Sequence, residues 1–242
     1  MDLIDTLGVS RGMTTVVGAG GKKTLLYRLA KRLDRAILTA SVRIPIFDDE
    51  VSRVVVTPDP VSALSDRDVW PLGLVPDRED DRYHGYDPAV LSDLRQTRGN
   101  DPILVKGDGA RNREFKAPGT DEPKIPQSTD TVVAVASVKA IGQPLEEATV
   151  HRPKRVTALT ARQLGETITP DDVATVLASD RGGRKNVPKS ATFVVLLNKV
   201  DDEHDMAKAD AVAASLRSRE SIHQVVSTRL IDERSPIVNS YK

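Results

Sequence analysis

Short aliphatic runs alternate with stretches of helical periodicity along this chain. Residues 13–17 form a β-rich run, and behind a glycine turn Leu25, Leu26, Leu29, Ala30 and Leu33 recur at the three- and four-residue spacing of one helix face. Further strands are predicted at 36–39, 54–56, 103–105, 131–136 and 193–197, with Val225 and Val226 opening a seventh. Helices are predicted at 88–98, 152–164, 170–178 and 203–217, the third entered through Thr169 as N-cap with Pro170 at the first helical position. Near-continuous aliphatic strands are the mark of a sheet covered on both faces. The fold class is therefore α/β, a mostly parallel sheet flanked by helices, in which right-handed crossovers gather the loops at the strands' C-terminal ends.

Residues 41–100 break this rhythm. They carry six of the fifteen prolines and the charged run Asp77-Arg78-Glu79-Asp80-Asp81-Arg82, and they read as an irregular insertion in one domain spanning 1–242. The charged run reads as solvated surface. Trp70, Tyr83 and Tyr86 are the candidates there for closing over a ligand.

Composition narrows the function. Thirty-five basic and 35 acidic residues cancel, so binding must come from local sites rather than from a global field for nucleic acid or anionic membrane. One Trp, four Tyr and three Phe are too few for a base-stacking platform. No cysteine is present, which removes disulfides, thiolate metal sites and cysteine nucleophiles and suits a reducing cytoplasm. The first residues lack a basic-then-apolar leader and no run of about 18 apolar residues occurs, so the expectation is a cytoplasmic protein without a membrane segment. The four histidines show no close ligand spacing, and no serine sits in a nucleophile elbow.

Three motifs carry chemistry. The first is Gly18-Ala19-Gly20-Gly21-Lys22-Lys23-Thr24, between a strand and a helix, where glycines crowd amides around an anion and the helix start and lysines add positive charge. It resembles a P-loop with two residues rather than four between the first glycine and the Gly-Lys pair, and with Lys23 where the metal-binding hydroxyl belongs, leaving Thr24 as substitute. The alternative is a glycine turn that only packs strand on helix. The second motif is Asn198-Lys199-Val200-Asp201 after an aliphatic strand, similar to the guanine-reading motif of GTPases. Asp201 would accept two hydrogens from the guanine edge, Asn198 would brace the loop and Lys199 would lie over the ring. The alternative is that Asp201 or Asp202 caps the helix starting at Glu203. The third is Asp108, directly after a strand and between Gly107 and Gly109, placed as a Mg²⁺ ligand, with Arg111 and Lys116 on the next loop able to meet negative oxygens. Its alternative is a turn whose aspartate bonds its own backbone.

At these residues the chain resembles the selenium-dependent molybdenum hydroxylase accessory proteins, often called YqeC-like, over most of its length. The marks are Gly18-Ala19-Gly20-Gly21-Lys22, Asp108-Gly109-Ala110-Arg111 with Lys116-Ala117-Pro118, Glu122-Pro123-Lys124-Ile125-Pro126, His151-Arg152-Pro153, and Asn198-Lys199-Val200-Asp201. The resemblance implies a P-loop NTPase-like three-layer fold and a role in maturing molybdenum hydroxylases. Two positions depart from the family pattern, Lys23 for a threonine and Lys106 for a glutamate. Glu122 and His151 belong to the pattern as candidate proton acceptors.

The leading expectation is a Mg²⁺-dependent nucleotide-binding protein, GTP preferred, that hydrolyses slowly or transfers a phosphoryl group during cofactor or metalloenzyme assembly. Lys22 would hold phosphate oxygens, Thr24 and Asp108 the metal, Arg111 and Lys116 phosphate or a second ligand. The competing expectation is a non-catalytic adaptor that holds a phosphate-bearing ligand and delivers it to a partner enzyme, favoured by Lys23 and Lys106. A small-molecule kinase would need an acceptor pocket from residues 41–100.

Overall fold

The computed structural model describes residues 2–64, 69–217 and 222–241. In chain order the elements are α1 (Leu3–Leu7), β1 (Met13–Gly18), α2 (Lys22–Arg32), β2 (Ile37–Ala40), β3 (Ile44–Pro45), β4 (Arg53–Val56), β5 (Leu72–Val75), β6 (Arg82–Tyr83), α3 (Pro88–Arg98), β7 (Ile103–Lys106), β8 (Phe115–Lys116), β9 (Thr131–Ser137), β10 (Val150–His151), α4 (Pro153–Thr160), α5 (Pro170–Ala178), β11 (Thr192–Asn198), α6 (Glu203–Arg217), β12 (Gln224–Thr228) and β13 (Ile237–Tyr241). Nine strands form one sheet in the order β13-β12-β11-β9-β1-β7-β2-β5-β4, parallel except for the antiparallel β12–β13 pair. The chain is thus α/β, with a large, mostly parallel sheet flanked by helices.

Alternation along the strands divides the apolar residues between the two faces. Leu104, Val133, Val135, Val194 and Leu196 pack with Leu25, Leu26 and Leu29 of α2 and with Leu3 and Leu7 of α1. On the other face Val132, Ala134, Phe193, Val195 and Leu197 meet Val156 of α4, Val173 and Val176 of α5, and Val212 and Leu216 of α6. Leu91 and Leu94 of α3 cover Ile37, Leu72, Ile103 and Val105 nearby. Connections from β1 and from β9 therefore leave toward opposite faces. Neighbouring parallel strands that diverge in this way open a crevice at their C-terminal ends.

The predicted α5 is entered as expected, with Thr169 and Asp172 completing a reciprocal capping box. The helix expected over 152–164 stops at Thr160, where Ala161 turns left-handed. Residues 41–100, which include the strand predicted at 54–56 and the helix predicted at 88–98, give the sheet its edge strands β4 and β5 as well as α3. Their aromatics pack within the fold. Tyr83 is fully buried, edge-on to Phe47 at 5.2 Å between ring centres, Tyr86 donates to the Thr57 carbonyl at 2.7 Å, and Trp70 lies beneath the Arg35 guanidinium.

Candidate functional site

The turn after β1 is built from glycine for steric reasons. Gly18, Gly20 and Gly21 all have positive φ, and a methyl group on Gly18 would sit 2.1 Å from the Val135 carbonyl oxygen. A methyl group on Gly21 would meet the Asn198 side chain at 2.3 Å. Helix α2 then starts at Lys22 with no side-chain cap, so its first amides lack intrahelical acceptors and carry the positive end of the helix dipole.

In front of this turn lies a cavity of about 580 Å³. Gly20, Gly21, Lys22, Lys23 and Thr24 form one wall, and Gly109 to Glu114 form another. Lys199 lies on one flank and Arg43, Pro45, Arg82 and Lys106 on the other. Lys22, Lys23, Arg111, Arg113 and Lys199, with Arg43, Arg82 and Lys106, face Glu114 as the single acid in this lining. Arg111 and Asn112 are both left-handed, a conformation costly for side-chain-bearing residues that holds their loop against the cavity. Among the described residues, Lys23, Arg111 and Arg113 pair with no carboxylate.

Beneath the cavity runs a buried charge network. Lys22 Nζ lies 2.8 Å from Asp108 Oδ1 and also donates to the Gly18 carbonyl. Lys116 Nζ lies 2.7 Å from Asp108 Oδ2 and 3.0 Å from Glu122 Oε2, and Arg152 reaches the same Glu122 oxygen at 2.6 Å. The Gly18 amide donates to Asp108 Oδ2 at 3.0 Å. Burial pushes the Asp108 carboxyl upward, but the two ammonium groups outweigh it and hold the group below its ordinary range. Burial lowers Lys22 despite Asp108. Lys106, whose ammonium donates to the Arg43 carbonyl at 2.6 Å, is lowered to about 7 by burial first and by Lys22 second. His151 is lowered to about 4, again by burial and then by Arg152, so it is neutral at pH 7.

Of the expected site residues, Gly20, Gly21, Lys22, Lys23, Thr24, Arg111 and Lys199 line the cavity, and Gly18, Ala19, Asp108, Lys116, Asn198 and Asp201 do not. The Gly18 amide is committed to Asp108 and that of Ala19 to the Val135 carbonyl at 2.8 Å. Asp108 is 2% exposed and bonds neither a turn of its own nor open space. It is the counter-ion of Lys22 and Lys116. Asn198 donates to the Gly20 carbonyl at 2.8 Å and so braces the loop, while its Oδ1 accepts from the Leu230 amide at 3.0 Å. Asp201 pairs with Lys139 at 3.1 Å, and Asp202 is the residue that caps α6, accepting from the Asp205 amide at 2.9 Å. Arg43, Arg82, Lys106 and Arg113 were not among the expected site residues. Arg113 and Lys106 had local signals, the one two residues after Arg111 and the other two residues before Asp108.

A protein-family model described as "YqeC protein" matches residues 14–154. The chain belongs to the YqeC family. "Uncharacterized protein YqeC" of Escherichia coli (strain K12) is 28% identical over 205 residues, covering 81% of this chain and 80% of that protein. No solved structure matches. The stretch matched by the YqeC model holds the glycine turn and the network from Lys22 through Asp108 and Lys116 to Glu122 and Arg152, whereas Asn198 to Asp201 lie outside it. Among the described residues no helix of this YqeC-family chain is long and apolar enough to cross a membrane, and no group of three or more His, Cys, Asp or Glu is placed to hold a metal ion.

Proposed function

We propose that this chain is a nucleotide-binding accessory protein of P-loop NTPase-like design, preferring GTP and serving the maturation of a molybdenum hydroxylase or its cofactor in the cytoplasm. One observation carries the reading: a cavity at the start of α2, at the sheet's C-terminal edge, lined by eight cationic side chains against one acid. A wall of predominantly one sign, in which Lys23, Arg111 and Arg113 pair with no carboxylate among the described residues, focuses its field on an anion. A triphosphate would lie against Gly20 to Thr24, with Lys23 and Arg111 on its outer oxygens. Lys22 reaches it by leaving Asp108, which keeps Lys116 and the Gly18 amide. Guanine would rest beside Lys199, with Asp201 released from Lys139 toward its edge.

The residues present fit Mg²⁺ only in part. Thr24 faces the cavity, but Asp108 is turned into two ammonium groups, which does not suit a divalent ion on that carboxylate. Mg²⁺ is thus the ion a triphosphate brings with it, and its chemistry there is charge neutralisation. This same arrangement favours a second reading, the non-catalytic adaptor that delivers a phosphate-bearing ligand to a partner enzyme.

Thermal unfolding with GTP, ATP and CTP, with and without Mg²⁺, tests the proposal. A triphosphate at 100 times its Kd stabilises by about 2.7 kcal/mol, which raises Tm by about 5–10 °C for a chain of this size. A rise with GTP alone, lost in Asp201→Ala, supports base reading. An equal rise with all three removes the guanine preference, and no rise with any overturns nucleotide binding. Phosphate release separates hydrolysis from delivery.

A further inference from the structure

The cavity is longer than the glycine turn that anchors it. Along the C-terminal edge of the parallel strands the order is β11, β9, β1, β7, β2. Lys199 follows β11, the glycine turn follows β1, Lys106 ends β7 and Arg43 follows β2. Strands lie about 4.8 Å apart, so the β2 end is roughly 10 Å beyond the glycine turn, on the side opposite Lys199. A nucleotide whose base rests by Lys199 and whose phosphates rest on the turn points its terminal phosphate toward that end.

Three cations wait there, drawn from three distant segments. Arg82 is brought in by the β3–β6 pair, where Pro45 stands opposite it. The charged run 77–82 also supplies the carboxylates that orient the guanidinium groups. Glu79 holds Arg43 at 2.8 Å, and Asp81 holds Arg82 at 2.7 Å. Lys106 is buried in the cavity wall with its ammonium on a carbonyl, and among the described residues no carboxylate pairs with it. A buried ammonium with no counter-ion sheds its proton readily, in line with the lowering of Lys106 to about 7, and an anion beside it would hold it charged.

We propose that the Arg43–Arg82–Lys106 end of the cavity is a second subsite, which takes a small phosphate- or carboxylate-bearing molecule while the glycine turn holds a nucleotide's phosphates. The inference rests on the nucleotide reading for its second occupant, and makes the protein a two-ligand device whose acceptor side comes from Arg43 and Arg82 of residues 41–100 together with Lys106 of β7.

Calorimetric titration of inorganic phosphate, and separately of malonate, into protein saturated with a non-hydrolysable GTP analogue tests it. The expected result is one equivalent of one or both anions bound beside the nucleotide. Arg82→Ala and Lys106→Met should weaken that anion by roughly tenfold, more than they weaken the nucleotide, with Lys106→Arg restoring it. Phosphate binding while malonate does not identifies a phosphorylated occupant, and the reverse a carboxylate. Exclusion of both anions by the nucleotide, or equal losses of anion and nucleotide in the variants, overturns the proposal. If the analogue itself fails to bind, the nucleotide reading fails on its own, and phosphate titrated into the free protein then decides. Two equivalents, one of them lost in Arg82→Ala, sustain the subsite; a single equivalent overturns it.

Discussion

Asp108→Ala is expected to lower the stability of the folded chain by about 3–5 kcal/mol, because removing one partner of a buried ion cluster leaves the others uncompensated. Lys22 is 5% exposed and Lys116 is likewise buried, and each has Asp108 within 2.8 Å. The alanine variant also strips the acceptor from the Gly18 amide. For a chain of this length the loss corresponds to a fall in Tm of roughly 10 °C, read by calorimetry. Asp108→Asn, which keeps an acceptor for Gly18 but not the charge, should fall between. A change below about 1 kcal/mol in the alanine variant would show that the lysines find other partners. The sign of the acid response follows from the same pairing. With the folded carboxyl held below the unfolded value of 3.8, its contribution is complete above that value and is lost as pH falls through the folded one.

The second large effect belongs to Asn198. Its amide joins three parts of the site, donating to the Gly20 carbonyl and accepting from the Leu230 amide and the Thr228 hydroxyl. Alanine leaves the buried Leu230 N–H unpaired, at about 1–3 kcal/mol, and takes the donor from the Gly20 carbonyl. It also frees the glycine turn from the side chain that packs against Gly21. The expected outcome is a loss of roughly 2–4 kcal/mol with faster amide exchange from Gly20 to Thr24. Asp201→Ala should cost under about 1 kcal/mol, since that carboxylate is 45% exposed and its bridge to Lys139 is a surface pair. Equal costs in the two variants would refute the brace.

These effects also explain what could be read from residue order. Seven strands and five helices were legible because their aliphatic runs and caps are local, as with Thr169 and Asp172. β5 was not, because Gly73 interrupts Leu72–Val75; its missing side chain makes room for the Phe47 ring, 2.8 Å from where a methyl group would sit. β13 hid behind the polar Asn239 and Ser240 at the sheet edge. In the site, the glycine turn and Arg111 could be picked out from residue order as candidates, and Gly20 to Thr24 and Arg111 line the cavity. The direction of Asp108 was not, since a side chain between two glycines can face the cavity or the core, and the ammonium that claims it, Lys116, returns eight residues later on β8. Arg43 and Arg82 converge with Lys106 only through the crossing of β2, β6 and β7, which spacing along the chain does not encode.

A polyphosphate is expected in the hollow before α2. The most direct test is a crystal structure with a non-hydrolysable GTP analogue. The expected result is phosphate oxygens against Gly20 to Thr24, with the Lys22 ammonium moved from the Gly18 carbonyl onto the ligand and Asp108 left to Lys116. An analogue bound elsewhere, or a filled cavity with Lys22 still on Asp108 and no phosphate at the turn, would contradict it.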